Sequence, residues 1–403
     1  RTRERAIRQA VAFITERLNG EDGLGAIFPA MANTVMAFDT LGYPKDHPDL
    51  VIAKRAVRKL LAEKGDRAYC EPCLSPVWDT ALACHALMEA GRAGTAANVR
   101  RGLDWIAERQ VLDTVGDWAR RRPGVRPGGW PFQYRNDYYP DVDDTAVILC
   151  ALHRADPERY RQAIQRGVEW ILGLQSRNGG WASFDADNTH EYLNNIPFAD
   201  HGALLDPPTA DLTARCISAL AQMGYTRDHP ALARALAFLR REQEEDGSWF
   251  GRWGTNYIYG TWSVLSALNA IGEDMTQPYV RKAVRWLESR QQADGGWGES
   301  CGSYWPERRN EAVPSTPSQT AWALLGLMAA GEVASTTVAR GVDYLRRAPR
   351  QGAKWDEELY NAVGFPRVFY LRYHGYSAYF PLWALARYQN LMARNDRRVA
   401  WGM

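Results

Sequence analysis

The feature that most constrains this chain of 403 residues is a repeated unit: a short helical stretch ending in Gln, then a turn carrying Gly-x-Trp. Arg166-Gly167 through Trp170-Ile171, with Gln175 and Gly179-Gly180-Trp181, is one copy. Phe238-Leu239 with Gln243 and Gly247-Ser248-Trp249 is a second, and Trp286-Leu287 with Gln291 and Gly295-Gly296-Trp297 a third. Arg101-Gly102, Gln110 and Gly116-Asp117-Trp118 read as a looser copy with a longer turn. Tyr344-Leu345 with Gly352-Ala353-Lys354-Trp355 lacks the Gln, and Phe13-Ile14 with Asp22-Gly23 lacks the Trp. Repetition at this scale marks stacked supersecondary units rather than one continuous sheet or bundle. In each unit the Gln can satisfy backbone groups at a neighbouring helix end, while the Trp covers the junction. This clasp is structural before it is anything else.

Between the clasps lie six apolar stretches rich in small residues: 78–89, 144–153, 210–223, 260–271, 318–329 and 382–390. They are entered after Pro76, Asp141, Pro208, Tyr259, Pro317 and Pro381, and several stop at a glycine, such as Gly91, Gly224, Gly272 and Gly331. Helices apolar on nearly every side are buried. The predicted fold is therefore all-α: six inner helices and a matching outer set, an α/α (α6-α6) barrel whose inner N-termini share one mouth. No strand signal persists anywhere. A seventh inner-type helix over 29–41 is followed by Gly42-Tyr43-Pro44-Lys45-Asp46-His47-Pro48, echoed at Gly224-Tyr225-Thr226-Arg227-Asp228-His229-Pro230. Residues 1–66 thus read as part of a second α-barrel domain and 67–403 as the main barrel, with the boundary near 64–70.

Composition narrows the function. A net charge of +2 argues against nucleic acid as a partner. Six cysteines are too few for a disulfide scaffold and fit a reducing compartment. Cys70-x-x-Cys73, with His85 further on, lacks the second ligand pair of a zinc site, so no metal and no cofactor is expected. No run approaches the roughly 18 apolar residues that span a bilayer. The chain starts at Arg1 in what reads as mid-helix, which suggests a piece of something longer.

The chemistry-bearing stretch is Pro140-Asp141-Val142-Asp143-Asp144-Thr145, directly before the apolar run 146–152. One Asp suffices as an N-cap. Three crowded carboxylates repel one another, which can keep one protonated at neutral pH. Spacing alone leaves an acid site and an over-supplied cap both open. Around the other helix entrances the residues are aromatic: Trp78, Phe132, Tyr138, Tyr139, Phe184, Trp253, Tyr257, Tyr259, Phe365, Phe369, Tyr370, Tyr373 and Tyr376. Singly each would be core packing. Clustered in Gly- and Pro-rich segments, they suggest a pocket of π-faces with one acidic spot. Such faces attract a cation, and a carboxylic acid kept neutral and dry can protonate an alkene.

Asp141-Val142-Asp143-Asp144, the Gln and Gly-x-Trp clasps, Ser75-Pro76-Val77-Trp78-Asp79-Thr80 and the run from Phe250 to Gly260 closely resemble bacterial squalene–hopene cyclases. The likeness covers the later part of that family's length. It implies that Asp143 donates a proton, with Asp141 and Asp144 shaping its acidity and Asp211 in its support network. Trp78, Phe132, Phe184, Trp253, Phe365, Phe369, Tyr373 and Tyr376 match cavity aromatics, Phe184 standing where some relatives have Tyr, and Tyr259 matches a tyrosine near the acid. Phe28 and Pro29 fall where the cascade terminates. Arg215 stands where some members have a His that polarises the acid. Its permanent charge favours ionised carboxylates, so Asp143 is expected to carry its proton less often, which weakens it as a proton source, unless Asp211, one helical turn away, absorbs that charge.

The resemblance further implies squalene or a similar polyprenyl hydrocarbon as substrate, cyclised to hopene or hopanol. It implies a monotopic protein on the cytoplasmic face of the bacterial inner membrane, with a homodimer as candidate assembly. Arg120, Arg121, Arg122 and Arg126 could meet anionic headgroups, or form a solvated loop. Rival readings are a cyclase of another polyprenyl chain (tetraprenyl-curcumene or a diterpenoid), an α/α-barrel glycosidase, and a non-catalytic helical-repeat scaffold.

Overall fold

The computed structural model describes residues 2–197 and 204–403. Its N-terminal part holds α1 (Thr2–Glu16), α2 (Phe28–Thr40) and α3 (Pro48–Lys59), followed by a hairpin of β1 (Leu61–Lys64) and β2 (Arg67–Cys70). The barrel then alternates inner and outer helices. In chain order these are α4 (Pro76–Ala90), α5 (Ala96–Ala107), α6 (Val142–Ala155), α7 (Arg161–Gly173), α8 (Ala210–Gln222), α9 (Pro230–Arg241), α10 (Tyr257–Ala270), α11 (Pro278–Ser289), α12 (Pro317–Ala329) and α13 (Thr336–Arg347). Two further hairpins, β3 (Arg350–Gln351) with β4 (Lys354–Trp355) and β5 (Ala362–Phe365) with β6 (Phe369–Leu371), precede α14 (Tyr376–Arg394).

Helices α4, α6, α8, α10, α12 and α14 pack side by side, and α14 returns to α4 to close the ring. Every residue of α12 is buried, whereas α13 buries only Val338, Gly341, Val342 and Leu345. The all-α barrel expectation holds, with three differences among the described residues. Five outer helices, not six, surround the inner ring. Three short hairpins exist where no strand was expected; with strands of two to four residues, they are too short to leave an alternating pattern. And α14 begins at Tyr376 rather than after Pro381, which lies inside it. A proline there removes one backbone bond. Packing of Phe380 on Tyr376 (5.0 Å between ring centres) and of Trp383 on Phe380 (6.2 Å, parallel) holds the helix through it.

The clasps have one geometry. Gln175, Gln243 and Gln291 each donate through Nε2 to two carbonyls, one in their own glycine turn and one at the start of the next outer helix: Gly179 and Ala231, Gly247 and Tyr279, Gly295 and Thr337, all at 2.8–2.9 Å. Each Trp donates Nε1 to the carbonyl ten residues earlier, as Trp249 does to Leu239 at 2.7 Å. The Trp backbone N–H is taken by a threonine of the next inner helix: Thr213, Thr261 or Thr320. In the looser copy this place belongs to Trp130, not Trp118. Trp130 Nε1 donates to Ile106, its N–H to Thr145, and Gln110 reaches Gly128 and Ala163. The turn there is lengthened by residues 111–127, and Trp118 instead packs edge-on against Trp170. Replacing Gln243 with Ala strands two partly buried carbonyls. Thermal or denaturant unfolding should show a loss of about 2 kcal/mol, and an unchanged midpoint would refute the clasp.

The echoed motif also has a physical meaning. His47 caps α3 by accepting the Asp49 N–H (3.2 Å), and His229 caps α9 by accepting the Ala231 N–H (3.3 Å). Each imidazole meets the preceding tyrosine ring, Tyr43 or Tyr225. Helices α2 and α3 thus repeat the inner–outer pairing of α8 and α9, around their own small core of Leu18, Phe38, Leu50 and Ala53.

Candidate active site

The first turn of α6 carries the acidic triplet, and Asp141 is its cap. Asp141 Oδ1 accepts the N–H groups of Asp143 (2.7 Å) and Asp144 (3.3 Å). The Asp141 N–H donates to Trp130 (2.7 Å) and that of Val142 to Ser183 (2.8 Å), so two clasp turns hold the start of this helix. Capping therefore accounts for one carboxylate and leaves two. Asp143 and Asp144 are 5 % and 1 % exposed. Burial, together with the repulsion of neighbouring carboxylates, drives Asp141 and Asp144 well above the ordinary range.

Asp143 is different because of Arg215. The Arg215 Nε lies 2.5 Å from Asp143 Oδ1, and the guanidinium also donates to the Tyr259 hydroxyl. It sits over the rings of Tyr259 (4.9 Å), Trp262 (5.2 Å) and Trp78 (5.6 Å). Burial pushes Asp143 up, the cation pulls it back, and the outcome is about 6. Arg215 is thus charged and buried, and it answers to Asp143. Asp211 answers part of that charge through its field, which supports the Arg215 cation and also raises Asp143. Its carboxylate accepts the Thr209 hydroxyl (2.6 Å) and the N–H groups of Arg252 (2.9 Å) and Trp253 (3.2 Å). Those loop N–H groups lie beside the first turn of α8, where Asp211 sits, and a buried donor without a partner is costly. Burial of Asp143 outweighs the pull of Arg215, so the acid is held above its usual value rather than fully ionised.

The triplet opens into a cavity of about 440 Å³ at the N-terminal ends of the inner helices. Asp141, Asp143 and Asp144 line it together with Trp78, Phe132, Phe184, Trp253, Phe365, Tyr373 and Tyr376. The rings brace one another. Trp78 Nε1 donates to the Tyr376 hydroxyl (2.9 Å), Tyr373 stacks on Tyr376 (4.7 Å), and Phe132 meets Tyr373 edge-on (6.2 Å). Phe184 stands edge-on to Trp253 (6.3 Å), whose indole N–H is fixed on Ser183 (2.8 Å). That volume lies within the 300–1,000 Å³ usual for small-molecule sites.

Several sequence expectations differ in detail. Asp211, Arg215 and Tyr259 form a buried layer behind the cavity wall rather than part of it. Phe369 packs against Phe365 (5.3 Å) and over Gly364, where a Cβ would lie 2.1 Å from its ring, and does not line the lumen. Phe28 and Pro29 do not line the cavity, and Phe28 is 38 % exposed; their neighbours Ile27 and Ala30 do. Tyr257 lies under Arg309 (3.7 Å) and Tyr370 stacks on Tyr304, both outside the lining. Tyr138 is turned toward α1, whereas Tyr139 reaches the cavity. Asp206, Arg252, Val363 and Leu371 line it without having been singled out. For Arg252, stacked on Trp253 at 4.0 Å, the Gly-Arg-Trp-Gly run was the available signal.

His85 takes no part with the cysteine pair: it stacks on Trp383 (5.1 Å) inside the barrel. Of the four arginines considered for headgroups, Arg122 binds Asp187 (2.9 Å) and Arg126 binds Glu169 (2.5 Å). Among the described residues no helix is long and apolar enough to cross a membrane.

The description "Squalene-hopene cyclase C-terminal domain" matches residues 74–390, and "Squalene-hopene cyclase N-terminal domain" matches residues 1–66. The chain belongs to the squalene–hopene cyclase family. It is 61 % identical to a probable squalene–hopene cyclase of Sinorhizobium fredii over 98 % of this chain and 62 % of that protein. It is 55 % identical to the squalene–hopene cyclase of Zymomonas mobilis over 100 % of this chain and 63 % of the relative. This family member thus spans about three-fifths of the length of the curated relatives it matches. Among solved structures, the type II terpene cyclase MstE from Scytonema is similar in fold, with a TM-score of 0.53 at 17 % identity, covering 90 % of this chain and 99 % of MstE.

Proposed function

We propose that the full-length protein cyclises squalene to hopene or hopanol by acid initiation, with Asp143 as proton donor. The observation that carries this reading is a carboxyl buried at an aromatic-walled cavity and paired with a buried guanidinium. The Asp143 proton adds to the terminal double bond, whose π electrons form the new C–H bond and leave a tertiary cation. Successive double bonds attack that cation, each forming a C–C bond and passing the charge along. Loss of a proton gives hopene, an isomer of squalene; capture of water followed by proton loss gives hopanol. Trp78, Phe132, Phe184, Trp253, Phe365, Tyr373 and Tyr376 offer π-faces to the moving charge, each worth roughly 0.5–2 kcal/mol or more when desolvated.

Arg215 meets the carboxylate that proton transfer leaves behind, so the same cation that lowers the acid's pKa stabilises its conjugate base. Asp141 and Asp144 hold the charge on Asp143 in check, Asp211 fixes the loop bearing Trp253, and Tyr259 orients Arg215. Phe369 supports Phe365, and the segment around Phe28 and Pro29 closes the terminating end. The apolar substrate fits a protein working at the cytoplasmic membrane face, with a homodimer as the candidate assembly. Residues 1–66 are read as part of a second α-barrel domain and 67–403 as the catalytic one.

The test is to incubate membranes bearing the full-length protein with squalene, tetraprenyl-curcumene and a diterpenoid precursor, each with EDTA. Pentacyclic product from squalene is the expected result. Turnover of only one of the other substrates would overturn the squalene assignment, and loss of product on chelation would overturn the acid initiation.

A further inference from the structure

The acid-bearing helix is tied to α1 across more than a hundred residues of sequence. At the end of α1, Arg17 is 8 % exposed. Its guanidinium lies between the rings of Phe13 (3.8 Å) and Tyr138 (4.4 Å). It grips Asp117 with two donors, Nη2 to Oδ1 at 2.7 Å and Nε to Oδ2 at 3.3 Å. The remaining nitrogen, Nη1, donates to Glu16 Oε2 (2.6 Å) and the Phe13 carbonyl (3.3 Å). Asp117 Oδ2 in turn accepts the Tyr139 hydroxyl at 2.6 Å. Glu16 accepts the Tyr138 hydroxyl (3.0 Å), and the Asp117 N–H donates to the Tyr138 carbonyl (3.3 Å). The backbones press so closely that a Cβ at Gly116 would lie 2.3 Å from that carbonyl oxygen.

A second tie runs alongside. Asn19 donates to Asn136 Oδ1 (3.2 Å), Asn136 donates to the Gly25 carbonyl (3.2 Å), and the Tyr139 N–H returns to the Asn136 carbonyl (2.9 Å). All of this converges on Tyr138-Tyr139-Pro140, the three residues before the cap Asp141. Bidentate arginine–carboxylate pairs fix direction as well as distance. A misplacement near 1 Å at a reacting centre can cost about a hundredfold in rate.

We propose that Arg17, acting through Asp117 and Tyr139, is a positioning residue that sets where α6 begins and so where Asp143 points into the cavity. Arg17 touches no reacting atom: its donors are committed and its faces are covered. Its effect is relayed by the Tyr139 ring, which lines the cavity, and by the chain direction into Asp141. The proposal rests on Asp143 being the proton donor.

The experiment compares full-length wild type with Arg17→Met, Tyr139→Phe, the double variant, and Arg55→Met as a control. Arg55 makes an exposed ion pair with Glu21 in the same N-terminal region, away from the clamp. Arg17→Met and Tyr139→Phe should each lower kcat about tenfold to a hundredfold with KM within about twofold, and raise the share of incompletely cyclised products. The double variant should be little worse than the poorer single, because both cut one relay. Arg55→Met should match wild type. A product spectrum and kcat per folded molecule unchanged in Arg17→Met, with only the melting temperature lowered, would overturn the proposal; so would additive losses.

Hydrogen exchange of the peptide covering 139–147 tests the relay without relying on turnover. Faster exchange there in Arg17→Met, with α10 and α12 unaffected, is expected. Exchange unchanged in that peptide refutes the relay. A wild type inert on squalene refutes the proposed substrate instead, and the exchange result still decides the positioning role.

Discussion

Asp143→Asn is expected to abolish cyclisation, with turnover falling by at least about 10³-fold. The amide nearly matches the carboxyl in shape, so the cavity, the Asp141 cap and the ring wall remain. What disappears is the only acidic proton in the triplet that Arg215 approaches directly, at 2.5 Å. Asn leaves the guanidinium without its carboxylate, a loss that in buried sites runs to about 3–5 kcal/mol. The Tyr259 hydroxyl and the flanking rings remain as partners, so the variant should fold. Circular dichroism and product analysis on the same preparation separate the two effects. Cyclised product from a folded Asn variant would reject Asp143 as donor.

Arg215→Met is the second large effect, and its signature lies in the pH profile. The donor must carry its proton, and Asp143 titrates at about 6. The wild-type rate should therefore be level below that value and decline about tenfold per pH unit well above it. Arg215 is what pulls the acid down against burial, so removing it raises the pKa of Asp143 and moves the declining limb to higher pH. The same change makes Asp143 a poorer donor and leaves its carboxylate uncompensated after transfer. The plateau should fall about 10- to 100-fold. A limb that stays at the wild-type position would show that Arg215 does not set the acidity.

The sign of the linkage also matters for stability. The folded pKa of Asp143 lies above the ordinary aspartate value of 3.8, so the folded state holds this proton more tightly than the unfolded chain. The favourable contribution is complete below 3.8 and is lost as the pH rises through about 6. Near neutrality the site is kept at the expense of stability, which the clasps and the buried faces of the inner helices supply elsewhere.

The repeat carried most of the architecture. Apolar stretches without a polar face had to be buried, and the Gln and Gly-x-Trp spacing located the outer helices and their junctions. The first copy misled, because Gly116-Asp117-Trp118 carries the Gly-x-Trp signature near Gln110, two residues late, while the long turn delivers Gly128-Gly129-Trp130 instead. A threonine near the start of four inner helices (145, 213, 261 and 320) marks the true partner, but the link is visible only once the helices are packed. Pro381 misled in the opposite direction: a helix-start signal at short range was overruled by aromatic packing around α14.

What the amino-acid sequence determined by itself is the layered all-α barrel, the capping aspartate and the company of aromatics around one acidic turn, since these follow from periodicity and near-neighbour chemistry. Tertiary structure alone decided which carboxylate Arg215 serves, which rings reach the lumen and which stand behind it, and that α1 grips the segment leading to Asp143. Those outcomes depend on distances between groups some 70 to 300 residues apart, as with Asp143 and Arg215 or Trp78 and Tyr376, and only the packing of one helix on another sets such distances.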